Sequence, residues 1–100
     1  MSVLVIGKIQ SDTDVFRRSL TERAGEYAKI AERSRAAGGI HRRFGIGDGF
    51  VVFIDEWESS EKFQTFFSDP EIVAFMDSVG TASAPPDLTI VEAVASPDQY

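Results

Sequence analysis

The sequence predicts an α+β fold in which two helical segments cover one face of a four-stranded antiparallel sheet. Three observations support this prediction. Segments with strand-like and helical spacing of apolar residues follow one another in the order strand, helix, strand, strand, helix, strand. An Asp-Gly pair, typical of a tight hairpin turn, separates the two middle strands. The length of 100 residues, with 43% hydrophobic and 26% charged residues, suits one globular domain.

The first strand and the first helix are predicted before residue 39. The segment Val3–Gln10 is rich in β-branched residues and apolar on both alternating faces, which is typical of a central strand. Residues 11–14 (Ser-Asp-Thr-Asp) offer side-chain oxygens that can cap a helix, and Gly38 with Gly39 can end it. Helical spacing of apolar side chains connects these two signals through Phe16, Leu20, Ala24, Tyr27, Ala28 and Ala31.

The middle strands are predicted at residues 40–46 and 50–57. If Asp48 and Gly49 form a two-residue turn, Arg42 lies opposite Asp55 and His41 lies opposite Glu56. Both are pairs of opposite charge, which supports this register. The same register groups apolar side chains of the two strands on one face: Ile40, Phe44 and Ile46 with Val51, Phe53 and Trp57.

The second helical segment and the last strand complete the chain. Ser59 or Ser60 is predicted to cap a helix that carries Phe63, Phe66 and Phe67. Asp69 and Pro70 start a further helical stretch to about Val79, with inward side chains predicted at Ile72, Val73, Phe75, Met76 and Val79. A loop is expected at residues 81–87 and a strand at 88–95. We therefore expect one domain over residues 1–96 and a polar tail at 97–100.

The order βαββαβ is that of a ferredoxin-like sandwich, with strands one and three at its centre. Both faces of these central strands are apolar, although the helices can cover only one face. The second face carries Leu4 and Ile6 from strand one and Phe50, Val52 and Ile54 from strand three. Monomeric proteins seldom leave such a surface in water. We therefore predict a homodimer that packs sheet against sheet through this open face, while a monomer with an exposed apolar patch is the alternative.

Three segments of the chain resemble a known protein family. The run FIDEWESSEKF at residues 53–63, FSDP at 67–70 and LTIVE at 88–92 are similar to the antibiotic biosynthesis monooxygenase-like domain, which belongs to the dimeric α/β-barrel superfamily. The resemblance covers about residues 2–95. It implies a homodimer whose two sheets form a dimeric α/β barrel, with a pocket between the sheet and the helices of each subunit.

Members of this family include cofactor-free quinol and anthrone monooxygenases, haem-degrading oxygenases, isomerases and proteins without a known activity. The positions that haem degraders use fall at Gly7, Phe66 and Met76, none of which carries the expected side chain, so haem degradation is not expected. The strand-three tryptophan of the anthrone oxygenases is matched by Trp57. Its partners are expected near Phe53, Phe63 and Asp77.

The resemblance and the chemistry of the side chains give a set of candidate site residues. Trp57 is a catalytic candidate that would stack on a planar substrate, and closing the core is the alternative. His41 is the candidate general base because it titrates near neutrality, and an edge-strand pair with Glu56 is the alternative. Arg42 is interpreted as a structural partner of Asp55. Ligand-binding residues are predicted at Phe44, Phe53, Phe63, Phe66, Met76 and Arg43, with a plain core as the alternative for the apolar ones.

Composition excludes several other classes of function. The chain has no cysteine and one histidine, so neither a thiolate metal site nor a cluster of imidazoles is expected, and we predict no metal and no cofactor. A net charge of −6 without a basic stripe argues against nucleic-acid binding. The apolar run at residues 3–6 is too short for a signal peptide or a membrane span, and a soluble cytoplasmic protein is expected.

Two functions remain open at this point. The first is a cofactor-free monooxygenase that deprotonates an electron-rich aromatic substrate of the quinol or anthrone type for direct reaction with O2. The alternative is a non-catalytic dimeric module, ligand-binding or stress-associated, whose pocket takes a small apolar or aromatic ligand without turning it over. The sequence does not decide whether the protein is an enzyme.

Overall fold

A computed structural model describes residues 1–81 and 86–100 of the chain. Its four strands and four helices follow the predicted βαββαβ order, with each predicted helical segment divided in two. None of the helices in these ranges, the longest of which has 14 residues, has the length and apolar character needed to cross a membrane. The elements are β1 (Val3–Gln10), α1 (Thr13–Glu22), α2 (Ala24–Ala37), β2 (Gly39–Ile46), β3 (Phe50–Trp57), α3 (Ser60–Phe66), α4 (Pro70–Met76) and β4 (Asp87–Glu92).

The four strands form one antiparallel sheet in the order β2-β3-β1-β4. The two most apolar strands, β1 and β3, are central, and β2 and β4 are the edges. This arrangement confirms the predicted ferredoxin-like α+β sandwich. The last strand is shorter than expected and ends at Glu92, and the loop expected at 81–87 lies partly outside the described residues.

The hairpin register of β2 and β3 is the predicted one over most of its length. Arg42 pairs with Asp55 and His41 pairs with Glu56. A bulge between Gly39 and His41 shifts the pairing, so Gly39 rather than Ile40 lies opposite Trp57. The extra residue turns Ile40 away from the apolar face, where we had expected it, and leaves it 41% exposed.

The first helical segment breaks at Arg23, whereas the sequence predicts one continuous helix. The backbone of Arg23 departs from helical geometry (φ −120°, ψ 29°) and separates α1 from α2. Its side chain hydrogen-bonds to Glu26 and Ser78 and lies over the ring of Phe75. Leu20, near the end of α1, and Ala24 and Ala28 in α2, which are predicted to face the core, are exposed.

The second helical segment starts at the predicted caps. The side chain of Ser59 accepts a hydrogen bond from the N–H of Lys62, and that of Asp69 accepts one from the N–H of Glu71. Helix α4 ends earlier than predicted, at Met76, and a five-residue turn of π type (Asp77–Thr81) follows it. Gly80 adopts a left-handed conformation in this turn (φ 91°). Ile72, Phe75 and Val79 are buried as predicted, whereas Val73 is exposed.

Two clusters of buried side chains lie between the helices and the sheet. The first contains Val5, Ile9, Phe53, Trp57, Phe63, Phe66 and Ile72, and the second contains Phe16, Val51, Phe75 and Val79. Tyr27 packs against the second cluster and shares a hydrogen bond of 2.8 Å with the hydroxyl of Ser19. Burial raises the pKa of Tyr27 above its ordinary value because the interior disfavours the charged tyrosinate.

Candidate functional site

The main cavity of the described chain lies between the sheet and helices α3 and α4. It has a volume of about 620 Å3. Strands β1, β3 and β4 contribute one wall through Ile9, Phe53 and Leu88, and the helices contribute the other. Most of the lining is aromatic or aliphatic. The remaining described lining residues are Arg42, Phe63, Gln64, Phe67, Ser68, Ile72, Val73, Met76, Asp77, Thr81 and Pro86.

A glycine in β1 determines the position of the Phe53 ring beside the cavity. Gly7 pairs with Phe53 across the sheet, and a β-carbon added to Gly7 would lie 2.1 Å from Cε1 of Phe53. The phenyl ring therefore occupies the space that a side chain at residue 7 would need. It also stacks on Phe63, with ring centroids 6.4 Å apart. This packing leaves no room for a side chain at residue 7, one of the positions that the resemblance associates with haem degradation.

Arg42, which lines the cavity, forms an ion pair with the buried carboxylate of Asp55. The Nε of Arg42 donates to Oδ1 of Asp55 at 2.8 Å, and Nη2 donates to Oδ2 at 2.7 Å. The Asp55 side chain is 1% exposed, whereas the Arg42 side chain is 27% exposed. The Nε1 of Trp57 also donates to Oδ2 of Asp55, at 3.1 Å. One buried carboxylate thus fixes both the arginine and the tryptophan.

Three phenylalanine rings surround the guanidinium group of Arg42. Its central carbon lies 5.2 Å from the ring centroids of Phe44 and Phe53, and 4.8 Å from that of Phe67. Such contacts between a cation and aromatic faces are attractive, and they hold the long side chain in one orientation. Arg42 is therefore a pre-positioned cation at the boundary of an apolar cavity.

The structure brings three of the predicted ligand-binding residues to the main cavity, namely Phe53, Phe63 and Met76. Two others lie elsewhere in the apolar layer. Phe44 packs edge-on against Phe16, with centroids 5.1 Å apart, on the far side of Arg42. Phe66 is buried against Trp57. Phe63 of α3 and Phe67, which follows the helix directly, are four residues apart and both line the cavity, whereas Phe66 points in a different direction around the helix and packs in the core.

Trp57 lies in the core rather than on the wall of the main cavity. It is 2% exposed and contacts the rings of Phe63, Phe66 and Phe67. With Asp55 it contributes to a second, smaller cavity of about 160 Å3 beside α2. This position favours the structural interpretation of Trp57 over direct stacking on a substrate.

His41 and Arg43 alternate with Arg42 and Phe44 along strand β2, and His41 is one of the residues that line the smaller cavity beside α2. Both are exposed, and neither lines the main cavity. The carboxylate of Glu56, opposite His41, instead accepts a hydrogen bond of 2.5 Å from the hydroxyl of Ser2. Within residues 1–81 and 86–100, the imidazole of His41 makes neither a hydrogen bond nor an ion pair. The predicted roles of His41 and Arg43 at this cavity are therefore not supported by their positions, because alternate residues of a strand point to opposite faces.

Phe67 is not predicted from the sequence as a ligand contact, and Arg42, which could bind an anionic group, is predicted as the structural partner of Asp55. Phe67 follows Phe63 by four residues, which places both on one helix face. Arg42 shares the predicted apolar face of β2 with Phe44. A charged side chain is unusual on such a face, and this is the signal that could have indicated a role for Arg42 at the cavity. Asp77, which the resemblance places near the site, is exposed and is one of the residues that line the cavity.

A metal centre has no obvious place in the described parts of the chain. No three side chains of the types His, Cys, Asp or Glu come together there in a group that could hold a metal ion. Two of the described lining residues of the cavity are ionisable, Arg42 and Asp77.

No protein-family model matches the sequence, and no curated protein matches it. Similar solved structures do exist. A monooxygenase from the gene ActVA-Orf6 of Streptomyces coelicolor, in complex with nanaomycin D, superposes with a TM-score of 0.66 at 16% identity, over 95% of this chain and 89% of that one. SnoaB of Streptomyces nogalater, a cofactor-independent oxygenase, superposes with a TM-score of 0.62 at 12% identity, over 98% of each chain.

A third structure, described as an antibiotic biosynthesis monooxygenase, has a TM-score of 0.61 at 15% identity and covers 93% of this chain and 99% of that one. At such identities a structural likeness reports on the fold and not on the activity. The likeness extends over nearly the full length of all three proteins. The chain therefore has the fold of the antibiotic biosynthesis monooxygenase-like domain.

Proposed function

We propose that the protein is a homodimeric, cofactor-independent oxygenase that acts on a planar, electron-rich aromatic substrate of the quinol or anthrone class. The observation that carries this proposal is the 620 Å3 cavity, whose described lining residues are mostly aromatic or aliphatic and include Arg42 and Asp77. The likeness to SnoaB, a cofactor-independent oxygenase, and to an oxygenase that holds nanaomycin D supports the same choice.

The cavity suits a flat ligand of two or three fused rings. Its volume falls within the range of roughly 300–1,000 Å3 that is usual for small-molecule sites. Phe53, Phe63 and Phe67 offer ring faces or edges on which such a ligand can stack, and the flexible Met76 can adapt to its outline. The substrate is held mainly by apolar contact, and the few polar groups set its orientation.

The proposed reaction needs a proton acceptor and molecular oxygen. A base removes a proton from the acidic carbon of an anthrone, and the resulting carbanion passes electrons to O2 and forms a carbon–oxygen bond. The peroxide takes up a proton, its oxygen–oxygen bond breaks, and the carbon loses its second hydrogen. One oxygen atom remains as a carbonyl and the other leaves as water, so the methylene group is oxidised by four electrons at the expense of one O2.

Asp77 replaces His41 as the proposed proton acceptor. Asp77 is one of the residues that line the cavity, whereas His41 is not. A positioned general base contributes roughly 10²–10⁴-fold to the rate of such a step. The apolar wall assists the reaction because it excludes water from the reactive carbanion.

Oxygen uptake tests this proposal directly. Purified protein is mixed with anthrone and with 1,4-naphthohydroquinone, and oxygen consumption is compared with a protein-free blank. We expect uptake above the blank for the wild type, a roughly 100-fold loss for Asp77→Asn, and no loss for the matched control His41→Ala. Uptake that fails in His41→Ala and persists in Asp77→Asn would overturn the assignment of the base.

A second outcome would favour the alternative function. If both compounds bind but neither is consumed faster than in the blank, the oxygenase proposal fails. A non-catalytic ligand-binding module is then the better description of the protein, with the same cavity as its binding site.

A further inference from the structure

We propose that Arg42 is a specificity-determining residue, which selects planar ligands that carry a negatively charged oxygen, such as a phenolate, an enolate or an aryl carboxylate. This inference rests on the proposed function in that it assigns the ligand to the same cavity. It goes beyond that function because it names the ionic form that the cavity prefers and the atom that recognises it.

The hydrogen bonds of Arg42 leave one nitrogen for a ligand. Asp55 takes the Nε and Nη2 groups on one edge of the guanidinium plane. Nη1 lies away from this carboxylate and makes no hydrogen bond to residues 1–81 or 86–100. A guanidinium nitrogen carries two N–H donors. The geometry thus provides charged donors whose orientation is fixed by the bidentate pair.

The surroundings of Arg42 favour an acceptor supplied by a ligand. The three rings around the guanidinium group, of Phe44, Phe53 and Phe67, have no conventional acceptor for its N–H groups. The polar side chains among the described lining residues, those of Gln64, Ser68, Asp77 and Thr81, make no hydrogen bond to Arg42, and Ser68 and Thr81 donate to the carbonyls of Gln64 and Met76. A charged donor in such a partly apolar site gains more from an anionic acceptor than it would in water.

The same rings explain why the ligand should be planar. Phe53 and Phe67 contact the guanidinium and also line the cavity. A flat ligand that packs against these rings brings the oxygen at its edge close to Nη1. Apolar stacking and one charge-assisted hydrogen bond then act together on a single ligand.

A matched pair of ligands tests the inference without any turnover. The probes are 2-naphthoate and 2-naphthamide, which share a ring system and size but differ in charge near neutral pH. Isothermal titration calorimetry gives the two dissociation constants. We expect the wild type to bind the carboxylate roughly tenfold more tightly than the amide, since a hydrogen bond to a charged group has about that value.

The test variant removes both charges of the buried pair. In Arg42→Gln combined with Asp55→Asn, no unpaired carboxylate remains, and the tenfold preference should disappear. Arg43→Gln is the matched control, because the neighbouring arginine stands on the opposite face of β2, and it should keep the preference. If the double variant does not fold, Arg42→Lys serves instead and should reduce the preference several-fold, because an ammonium bound to Asp55 lacks the rigid second arm.

Each result bears on the proposal. Equal affinities in the wild type, absence of binding of both probes, a preference that survives in the double variant, or a preference lost in Arg43→Gln would overturn the role of Arg42. The oxygenase proposal fails separately, through the absence of oxygen uptake. A preference for the carboxylate without oxygen uptake would support the role of Arg42 and contradict the oxygenase proposal. Oxygen uptake without this preference would support the oxygenase proposal and contradict the role of Arg42.

Discussion

The two faces of the sheet are built from neighbouring residues of the same strands but have different environments. On the face beneath the helices, Trp57 and Asp55 are almost completely buried, whereas Ile54 on the open face is 51% exposed. Arg42 lies in an aromatic ring cage on the first face, and Arg43 lies in solvent on the second. Successive side chains of a strand point to opposite faces of the sheet. This alternation, more than the type of residue, determines whether a charged side chain lies at the cavity or in solvent.

The largest expected effect concerns the open face, through which we propose that two copies of the chain associate. Replacing Ile54 by glutamate would place a charge in the interface twice, once from each subunit, and we expect roughly a thousandfold weaker association. Sedimentation at micromolar concentration should give twice 11.0 kDa for the wild type and 11.0 kDa for the variant. The conservative Ile54→Val is the control and should remain dimeric. A wild type that sediments at 11.0 kDa would contradict the proposed dimer.

The next effect compares the adjacent carboxylates of β3. Asp55→Ala leaves Arg42 without its partner and the N–H of Trp57 without an acceptor, so we expect a loss of about 3 kcal/mol in the free energy of unfolding. Glu56→Ala, on the open face, should cost less than about 1 kcal/mol. Urea unfolding at one fixed protein concentration measures both. Similar losses for the two variants would mean that the buried pair of Arg42 and Asp55 contributes no more to the free energy of unfolding than an exposed carboxylate does.

The smallest effect compares two strand glycines. A methyl group at Gly7 would collide with the Phe53 ring, whereas a β-carbon at Gly45 meets no atom within 4 Å. We expect Gly7→Ala to lower the free energy of unfolding by about 2 kcal/mol through overpacking, and Gly45→Ala to change it by less than about 0.5 kcal/mol. Urea unfolding under matched conditions checks this difference. A tolerated Gly7→Ala would indicate that the Phe53 ring moves easily and that the cavity wall is adaptable.

Much of the fold follows from local signals in the sequence. The Asp48-Gly49 turn and the opposite charges of Arg42 and Asp55 predict the hairpin register, and the apolar character of β1 and β3 predicts their central place. The break at Arg23 has no comparable local signal, because its side chain is held by Ser78 and Phe75, more than fifty residues away. The bulge at Ile40 likewise depends on how the end of α2 meets the edge strand.

The site is less predictable than the fold, because the same spacing of aromatic residues along a helix occurs in a packed core and in a cavity wall. The sequence groups Phe63 and Phe66 as aromatic candidates, but only the fold shows that the first lines the cavity and the second packs against Trp57. The pairing of Arg42 with Asp55 follows from the register. The nitrogen that this pair leaves without a partner depends on the rotamer of the side chain, which no spacing rule describes.

The position of Trp57 beside the cavity has an optical consequence. Trp57 is the single tryptophan of the chain, so fluorescence excited at the red edge of protein absorption comes from one place. Its indole is shielded from water, and it touches Phe63 and Phe67, whose rings also form the cavity wall. We expect a molecule that enters the cavity to change the emission of Trp57 through its contacts with these rings, so that occupancy of the cavity can be followed without an added label.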